Sequence, residues 1–123
     1  MKFMKTVIIG ASPNPERTAF QAAEMLKARG YDFVPAGIKS GEVLGHKILD
    51  QSGLKNLQDV HTVTLYIRAE LQAGWYEDIL SLRPKRIIFN PGTENPEFEK
   101  IAEENGIEAT EACTLVLLST GQF

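Results

Sequence analysis

The chain has 123 residues and a formal net charge of −3, and 43% of its residues are hydrophobic. This length favours a single domain over residues 1–123 with a substantial buried core. The acidic charge balance, without any run of Lys and Arg, excludes a general nucleic-acid binder, because such a protein would carry a basic face.

The sequence carries no evident signal for targeting or membrane insertion. Residues 1–5 are charged but precede no apolar leader segment, and no apolar run approaches membrane-spanning length. We therefore expect a soluble, cytoplasmic protein that makes no contact with a membrane. Exposed strand edges and the apolar residues 112–118 are compatible with a homodimer or with an unknown protein partner.

Soft metal ligands are few. The chain has one cysteine, Cys113, and two histidines, His46 and His61. This set excludes an intrachain disulfide and a zinc site with several cysteines, so no metal is expected. His46 lies in a glycine-rich stretch and is expected to face solvent, whereas His61 opens a strand and is expected to be structural.

A short β-branched run near the N-terminus organises the rest of the chain. Residues 7–9 (Val-Ile-Ile) are typical of a strand buried on both faces of a parallel sheet. Gly10 then permits a tight turn into a helix. Either Ser12 or Asn14 can cap that helix, and Pro13 or Pro15 can take its first position. The free N–H groups of a helix start make an anion site.

This turn differs from a dinucleotide-binding fingerprint. Where the Gly-x-Gly-x-x-Gly pattern has its second and third glycines, this chain has Ser12 and Pro15. Arg17 falls in the predicted first helical turn, where a cation is unfavourable unless an anion binds between it and the helix dipole. We therefore predict an anion site that includes Arg17; an exposed arginine without a ligand is the alternative.

The next elements continue an alternation of helix and strand. The helix carries small apolar residues at helical spacing and is expected to end at Gly30. Residues 31–36 predict a second strand, in which Pro35 indicates an edge position or a strand end. Lys39 follows this strand, where nicotinamide dinucleotide binders usually have an acid. The nearest acids are Asp32, at the start of the strand, and Glu42, beyond it.

Residues 41–59 contain several glycines and predict a turn, a brief helical or extended segment, and a loop.

Residues 61–67 predict a strand that carries Arg68 to the edge of the sheet where ligands bind. A surface arginine with a salt-bridge partner is an equally weighted alternative. Residues 69–82 predict one amphipathic helix with Leu71 and Trp75 on its buried stripe.

The last third of the chain repeats the pattern of buried strand and polar turn. Residues 86–90 predict a buried strand, and Asn95 with Pro96 predicts the start of a helix that ends near residues 105–106. Residues 107–110 predict a last strand. The class is α/β: a Rossmann-like, doubly wound, mainly parallel sheet of about five strands with helices on both faces.

In order and spacing, several of these segments resemble the small single-domain CoA-binding proteins. These are relatives of the CoA-binding first domain of the succinyl-CoA synthetase α subunit. The segments are the Gly10 turn with Arg17, residues 41–45, residues 66–68, residues 90–92 and Cys113. The similarity covers nearly the whole chain.

The resemblance implies a Rossmann-like domain that holds coenzyme A across the carboxyl ends of its strands. It places the ligand phosphates at the Gly10 turn and Arg17, with the later segments lining the rest of the site. The implied cofactor-binding residues are Gly10, Ala11, Ser12, Pro13, Asn14, Arg17, Lys39, Ile67, Arg68, Asn90, Pro91, Gly92 and Thr93.

Catalytic residues are not legible in the sequence. Succinyl-CoA synthetase phosphorylates a histidine outside this small domain, and neither His46 nor His61 has a matching context. Paired carboxylates, a Ser-His-Asp set and a Cys-His pair are also missing. We therefore interpret the chain as a non-catalytic binder of coenzyme A or an acyl-CoA, in a sensor or carrier role.

Two alternatives belong to other functional classes. An NAD(P)-dependent oxidoreductase would need the acid and the two glycines that this chain lacks. A CoA-thiol redox protein would need an exposed and activated Cys113, whereas the apolar residues around it favour burial.

Overall fold

The computed structural model describes residues 5–123, so residues 1–4, on which the leader prediction partly rests, lie outside the described residues. Five parallel strands form the main sheet: β1 (Lys5–Ile9), β2 (Phe33–Ala36), β5 (Val60–Leu65), β6 (Arg86–Phe89) and β7 (Glu108–Glu111). Their spatial order is β2-β1-β5-β6-β7. Two short strands, β3 (Glu42–Val43) and β4 (His46–Lys47), pair separately as an antiparallel hairpin.

Helices cover both faces of the sheet. They are α1 (Thr18–Ala28), α2 (Gln51–Leu54), α3 (Tyr76–Ser81), α4 (Pro96–Glu104) and α5 (Thr114–Ser119). One apolar cluster joins α1 and α5 to the sheet through residues such as Leu26 and Leu118. The other joins α2, α3 and α4 through Leu54, Ile79 and Phe98. The predicted doubly wound α/β class is confirmed.

The residues of β1 and β2 fit the positions of these strands in the sheet. Val7, Ile8 and Ile9 are completely buried, as expected for a central strand covered on both faces. β2 lies at one edge, which accommodates Pro35 as the sequence predicted. Strand bounds differ from the predicted ones by at most two residues, as where residues 31–36 narrow to Phe33–Ala36.

Two predictions about helix starts had different outcomes. Asn95 caps α4, with its Oδ1 accepting the Phe98 N–H at 3.1 Å, and Pro96 occupies the first helical position as predicted. The predicted cap of α1 by Ser12 or Asn14 is wrong, because α1 begins only at Thr18 and Arg17 is its N-cap residue. Arg17 therefore precedes the first turn rather than lying within it.

The single helix predicted over residues 69–82 is also wrong. The chain forms two 3₁₀ turns, Ala69–Leu71 and Ala73–Trp75, before α3 begins. The buried side chain at the start of this segment is Gln72, while Leu71 is 51% exposed. Hydrogen bonds from Gln72 to the surrounding loops account for this reversal of the apolar pattern.

The strand order creates a crevice at the end of β1, an interior strand of the sheet. The chain leaves β1 toward β2 on one side, and β5 lies on the other side of β1. In doubly wound sheets, ligands bind at such a reversal, outside the carboxyl ends of the strands. Among residues 5–123, no helix is both long enough and apolar enough to cross a membrane.

Candidate functional site

A cavity of about 390 Å³ opens at the carboxyl ends of β1, β2 and β5, where the strand order reverses. Three chain segments form its walls: the turn and helix start after β1, the residues after β2, and the loop after β5. The lining residues are Gly10, Ala11, Ser12, Arg17, Thr18, Ala19, Gly37, Ile38, Lys39, Tyr66, Ile67, Leu71 and Trp75.

Gly10 allows the turn after β1, which forms one wall of the cavity, to pack closely against its neighbours. Its φ of 94° lies in a region that favours glycine, and a Cβ there would come within 2.9 Å of the Ile67 side chain. The N–H groups of Gly10 and Ala11 both donate to the carbonyl oxygen of Ala36, at 2.9 and 3.0 Å. The turn is thus fixed between the ends of β2 and β5.

Polar side chains shape the loop that leads into α1. The Asn14 N–H donates to Ser12 Oγ at 3.1 Å, and the Glu16 N–H donates to Asn14 Oδ1 at 3.0 Å. Ser12 and Asn14 therefore stabilise the loop instead of capping the helix, which is why α1 begins later than predicted. Pro13 and Asn14 are exposed, and neither lines the cavity.

The start of α1 is suited to an anion. Arg17 at the N-cap makes no capping hydrogen bond with its side chain, and the first turn of α1 contains no acidic residue. The first N–H groups of a helix point outward and carry partial positive charge. Thr18 and Ala19, the first two residues of α1, line the cavity, so the start of the helix lies at its edge.

Two of the three predicted cationic residues reach the cavity. Arg17 and Lys39 both line it and are exposed. Arg68 does not line it; its side chain is 68% exposed and pairs with Glu70 at 3.5 Å between Nε and Oε2. This geometry matches the alternative that the sequence left open for Arg68. A surface pair of this kind contributes little to stability.

The wall opposite α1 is apolar. Ile38, Ile67, Leu71 and Trp75 form it, and Ile38 is 91% exposed. Leu71 is 51% exposed, Ile67 is half-buried and Trp75 is buried. Exposed apolar side chains beside buried ones, gathered around one opening, are typical of a ligand-binding cleft. Ile38 was not among the predicted site residues, and Leu71 was wrongly predicted to be buried. Trp75 is buried as predicted, although it lies in a 3₁₀ turn and not in a longer helix. The position of Ile38 two residues after the end of a predicted strand was the available signal.

The segment after β6, which the resemblance implied to be part of the ligand site, makes hydrogen bonds within the protein. The amide of Asn90 donates to Thr64 Oγ1 at 2.6 Å and to the Leu65 carbonyl at 2.8 Å, and it accepts the Thr114 N–H at 2.8 Å. Its hydrogen-bonding groups are therefore engaged within the protein. Thr93 is buried and donates to the Asn90 carbonyl. Pro91 and Gly92 are exposed, and none of the four residues lines the cavity.

The histidines and the cysteine lie away from the cavity lining. His46 is exposed and packs against Phe33, with ring centroids 4.6 Å apart. Burial lowers the pKa of His61, whose Nδ1 lies 2.8 Å from Thr62 Oγ1. Cys113 is half-buried at the N-cap of α5, less buried than predicted. Within residues 5–123, no group of three metal-binding side chains is found.

Comparison with known proteins gives consistent results. A family model described as a CoA binding domain matches residues 4–119. The crystal structure of an uncharacterized protein is 52% identical, with a TM-score of 0.94 over 100% of both chains. A hypothetical protein from Pyrococcus horikoshii OT3 is 30% identical, with a TM-score of 0.86 over 97% of this chain and 84% of that one. The uncharacterized protein YneT of Bacillus subtilis (strain 168) is 25% identical over 103 residues, which are 83% of this chain and 75% of YneT.

Proposed function

The chain belongs to the CoA-binding domain family, and on this premise we propose that it binds coenzyme A or an acyl-CoA without catalysing a reaction, as a sensor or carrier. The ligand lies in the cavity at the carboxyl ends of β1, β2 and β5. The observation that carries this proposal is the pairing of a cationic, N–H-rich wall with an apolar wall in a single cavity. Coenzyme A has matching parts: a charged phosphate end and a long, less polar arm.

The cationic wall binds the phosphates in this proposal. Coenzyme A carries a pyrophosphate and a 3′-phosphate, and phosphate oxygens accept well from helix N-termini and from Arg or Lys. Gly10, Ala11 and Ser12 bring backbone toward the ligand, and Arg17 and Lys39 flank it on two sides of the opening. Both side chains are exposed and can adjust to the phosphate positions.

The apolar wall supports binding of the remainder of the ligand. Ile38, Ile67 and Leu71 expose surface that a ligand would cover, and covering apolar surface is favourable at about 25 cal/mol per Å². Arg68 lies just beyond Ile67 and contributes only at the outer rim. Asn90 supports the site from behind by joining the ends of β5 and β6, and Thr93 is held by the Asn90 carbonyl. Pro91 and Gly92 lie outside the cavity lining.

The character of the lining supports a binding role over a catalytic one. Within residues 5–123, the cavity lining contains neither an acid nor a histidine or cysteine. Thiol chemistry needs a cysteine, and general acid–base chemistry most often uses a histidine or a carboxyl group. Of the remaining candidates in the lining, Lys39 and Tyr66, burial raises the pKa of Tyr66 to about 12, far above neutral pH. The position of Cys113 outside the lining also weakens the redox alternative. The NAD(P) alternative is weakened because Gly37, Ile38 and Lys39 follow β2 without an acid.

Native mass spectrometry of the full chain tests the proposal directly. The protein is purified without added nucleotide, and its spectrum is compared before and after addition of coenzyme A. We expect an added mass equal to coenzyme A or an acyl-CoA, and a one-to-one stoichiometry by calorimetry. Retention of a nicotinamide dinucleotide, or no binding of coenzyme A at high micromolar concentration, would contradict the proposal.

A further inference from the structure

Gln72 is a completely buried polar side chain directly behind the apolar wall of the cavity. Its Nε2 donates two hydrogen bonds, to the Ile67 carbonyl at 2.9 Å and to the Thr93 carbonyl at 2.8 Å. Its Oε1 accepts a hydrogen bond from Asn95 Nδ2 at 2.9 Å. One amide therefore uses both donors and its acceptor inside the protein, which is the arrangement that makes a buried polar group favourable.

These bonds join two loops that belong to different strands. Ile67 follows β5, whereas Thr93 and Asn95 follow β6. The link extends to the surface, because Asn95 Nδ2 also donates to Tyr76 Oη at 2.8 Å and Tyr76 Oη donates to Glu97 at 3.0 Å. The loop after β5 is thus fastened to the start of α4 through side chains.

The residues on either side of Gln72 form the cavity wall. Ile67, Leu71 and Trp75 line the cavity, while Gln72 points away from it into the protein. The Gln72 carbonyl also accepts the Trp75 N–H at 2.8 Å, which fixes the second 3₁₀ turn. Isolated 3₁₀ turns are weak on their own, so this wall depends on anchors of this kind for its position.

We propose that Gln72 is a positioning residue that holds the apolar wall at the distance from the Gly10 turn that the ligand requires. It acts through Ile67, whose carbonyl it holds and whose side chain lies against Gly10. Loss of its donors leaves a buried carbonyl at Thr93 and a partly buried one at Ile67 without this partner, and the loop after β5 then moves to solvate them. The inference rests on the proposed binding of coenzyme A, and its test separates the two.

The first arm compares Gln72→Met with Ile107→Ala in the full chain. Ile107 is buried, directly precedes β7 and does not line the cavity, so its truncation destabilises the protein without touching the wall. Calorimetric titration with coenzyme A should show affinity about tenfold weaker for Gln72→Met and unchanged for Ile107→Ala. Equal affinities for the two folded variants would overturn the proposal.

The second arm uses Gln72→Glu, which keeps the size of the side chain. A carboxylate cannot donate to the Ile67 or Thr93 carbonyl, but a protonated carboxyl group can donate to one of them. The affinity of this variant relative to the natural protein should therefore recover as the pH falls from about 8 to about 5. A ratio that does not change with pH would overturn hydrogen-bond donation as the means of positioning.

The third arm needs no ligand. Trp75 is the only tryptophan and is 7% exposed, so its fluorescence reports the position of the wall. Gln72→Met should shift its emission to longer wavelength and increase quenching by acrylamide, whereas Ile107→Ala should not. A natural protein that binds no coenzyme A contradicts the proposed function alone; unchanged Trp75 emission in Gln72→Met contradicts the role of Gln72.

Discussion

Gly10 and Ile67 are in direct contact: a Cβ atom on Gly10 would lie 2.9 Å from Ile67 Cγ2 and 3.0 Å from the Tyr66 carbonyl. The turn after β1 and the loop after β5 can approach this closely only because residue 10 has no side chain. The two walls of the cavity therefore meet at this contact.

Replacing Gly10 by alanine should destabilise the fold for two reasons. The φ of 94° is unfavourable for a residue with a Cβ, and the Cβ would overlap Ile67. We expect a loss of about 2–4 kcal/mol in the free energy of unfolding, measured by urea denaturation. Gly45→Ala is the matched control, since Gly45 has a φ of 87° and open space around it. Equal losses for the two variants would show that the Ile67 contact contributes nothing.

Arg17→Ala should weaken coenzyme A binding without lowering the melting temperature. Arg17 is exposed and lines the cavity at the start of α1, so it contributes a charge-assisted hydrogen bond to a phosphate and little to the fold. We expect a loss of about 1.5 kcal/mol, or roughly tenfold in Kd, by calorimetry. Arg68→Ala, which breaks only the pair with Glu70, should change Kd less. Equal losses of affinity in the two variants would indicate that Arg68 also contacts the ligand phosphates.

Thermal shifts with three ligands should rank coenzyme A above dephospho-coenzyme A, and both above NAD. Lys39 follows β2 where an acid would be needed to hold free ribose hydroxyls, and a lysine there favours an added phosphate. A ligand at one hundred times its Kd stabilises the folded state by about 2.7 kcal/mol, so matched concentrations report the order. The difference between the thermal shifts with coenzyme A and with its dephospho form should decrease as the salt concentration rises. A larger shift with NAD would overturn the ranking.

Tyr66→Phe should increase the stability of the folded protein at high pH relative to the natural protein. Burial raises the pKa of Tyr66 to about 12, partly offset by the nearby Thr114 and Thr64 hydroxyls. These threonines bond each other, and Tyr66 Oη has no hydrogen-bond partner among residues 5–123. In the unfolded chain the tyrosine ionises near pH 10, so the folded state holds its proton more tightly. The contribution of the protonated Tyr66 to the free energy of unfolding is therefore fully present below pH 10 and is lost as the pH rises toward 12.

The size of this loss is up to about 2.5 kcal/mol for a shift of two pKa units. The phenylalanine variant cannot ionise and should keep that stability, while the other tyrosines titrate equally in both proteins. At pH 7 it should be at least as stable as the natural protein, since it removes an unpaired hydroxyl. Urea denaturation at several pH values measures the difference, and parallel stability curves would contradict the assignment to Tyr66.

Asn90→Ala should mainly affect stability. The amide of Asn90 joins Thr64, the Leu65 carbonyl and the start of α5, and the variant leaves these groups without their partner. We expect a loss of about 2–4 kcal/mol in the free energy of unfolding, with Kd for coenzyme A changed less than threefold in the folded protein. A large loss of affinity at unchanged stability would place Asn90 at the ligand.

Local signals in the sequence determined the class of fold and part of the site. Residues 7–9 are β-branched and apolar without interruption, which is sufficient to predict a strand buried on both faces of a parallel sheet. Asn95 followed by Pro96 predicted the start of α4, because capping depends only on residues adjacent in the chain. The alternation of strands and helices then required a parallel sheet, whose carboxyl edge carries Gly10, Arg17 and Lys39.

Only the tertiary structure decided what depends on partners distant in sequence. Gln72 is buried, and Leu71 exposed, because the carbonyls of Ile67 and Thr93 meet where an amide can reach both. Asn90 supports the sheet because Thr64 and Thr114 converge on it from other elements. A periodic sequence pattern indicates which residues of one segment form an apolar face. A buried hydrogen bond depends on the position of a partner that is distant in sequence, and only the folded structure shows that position.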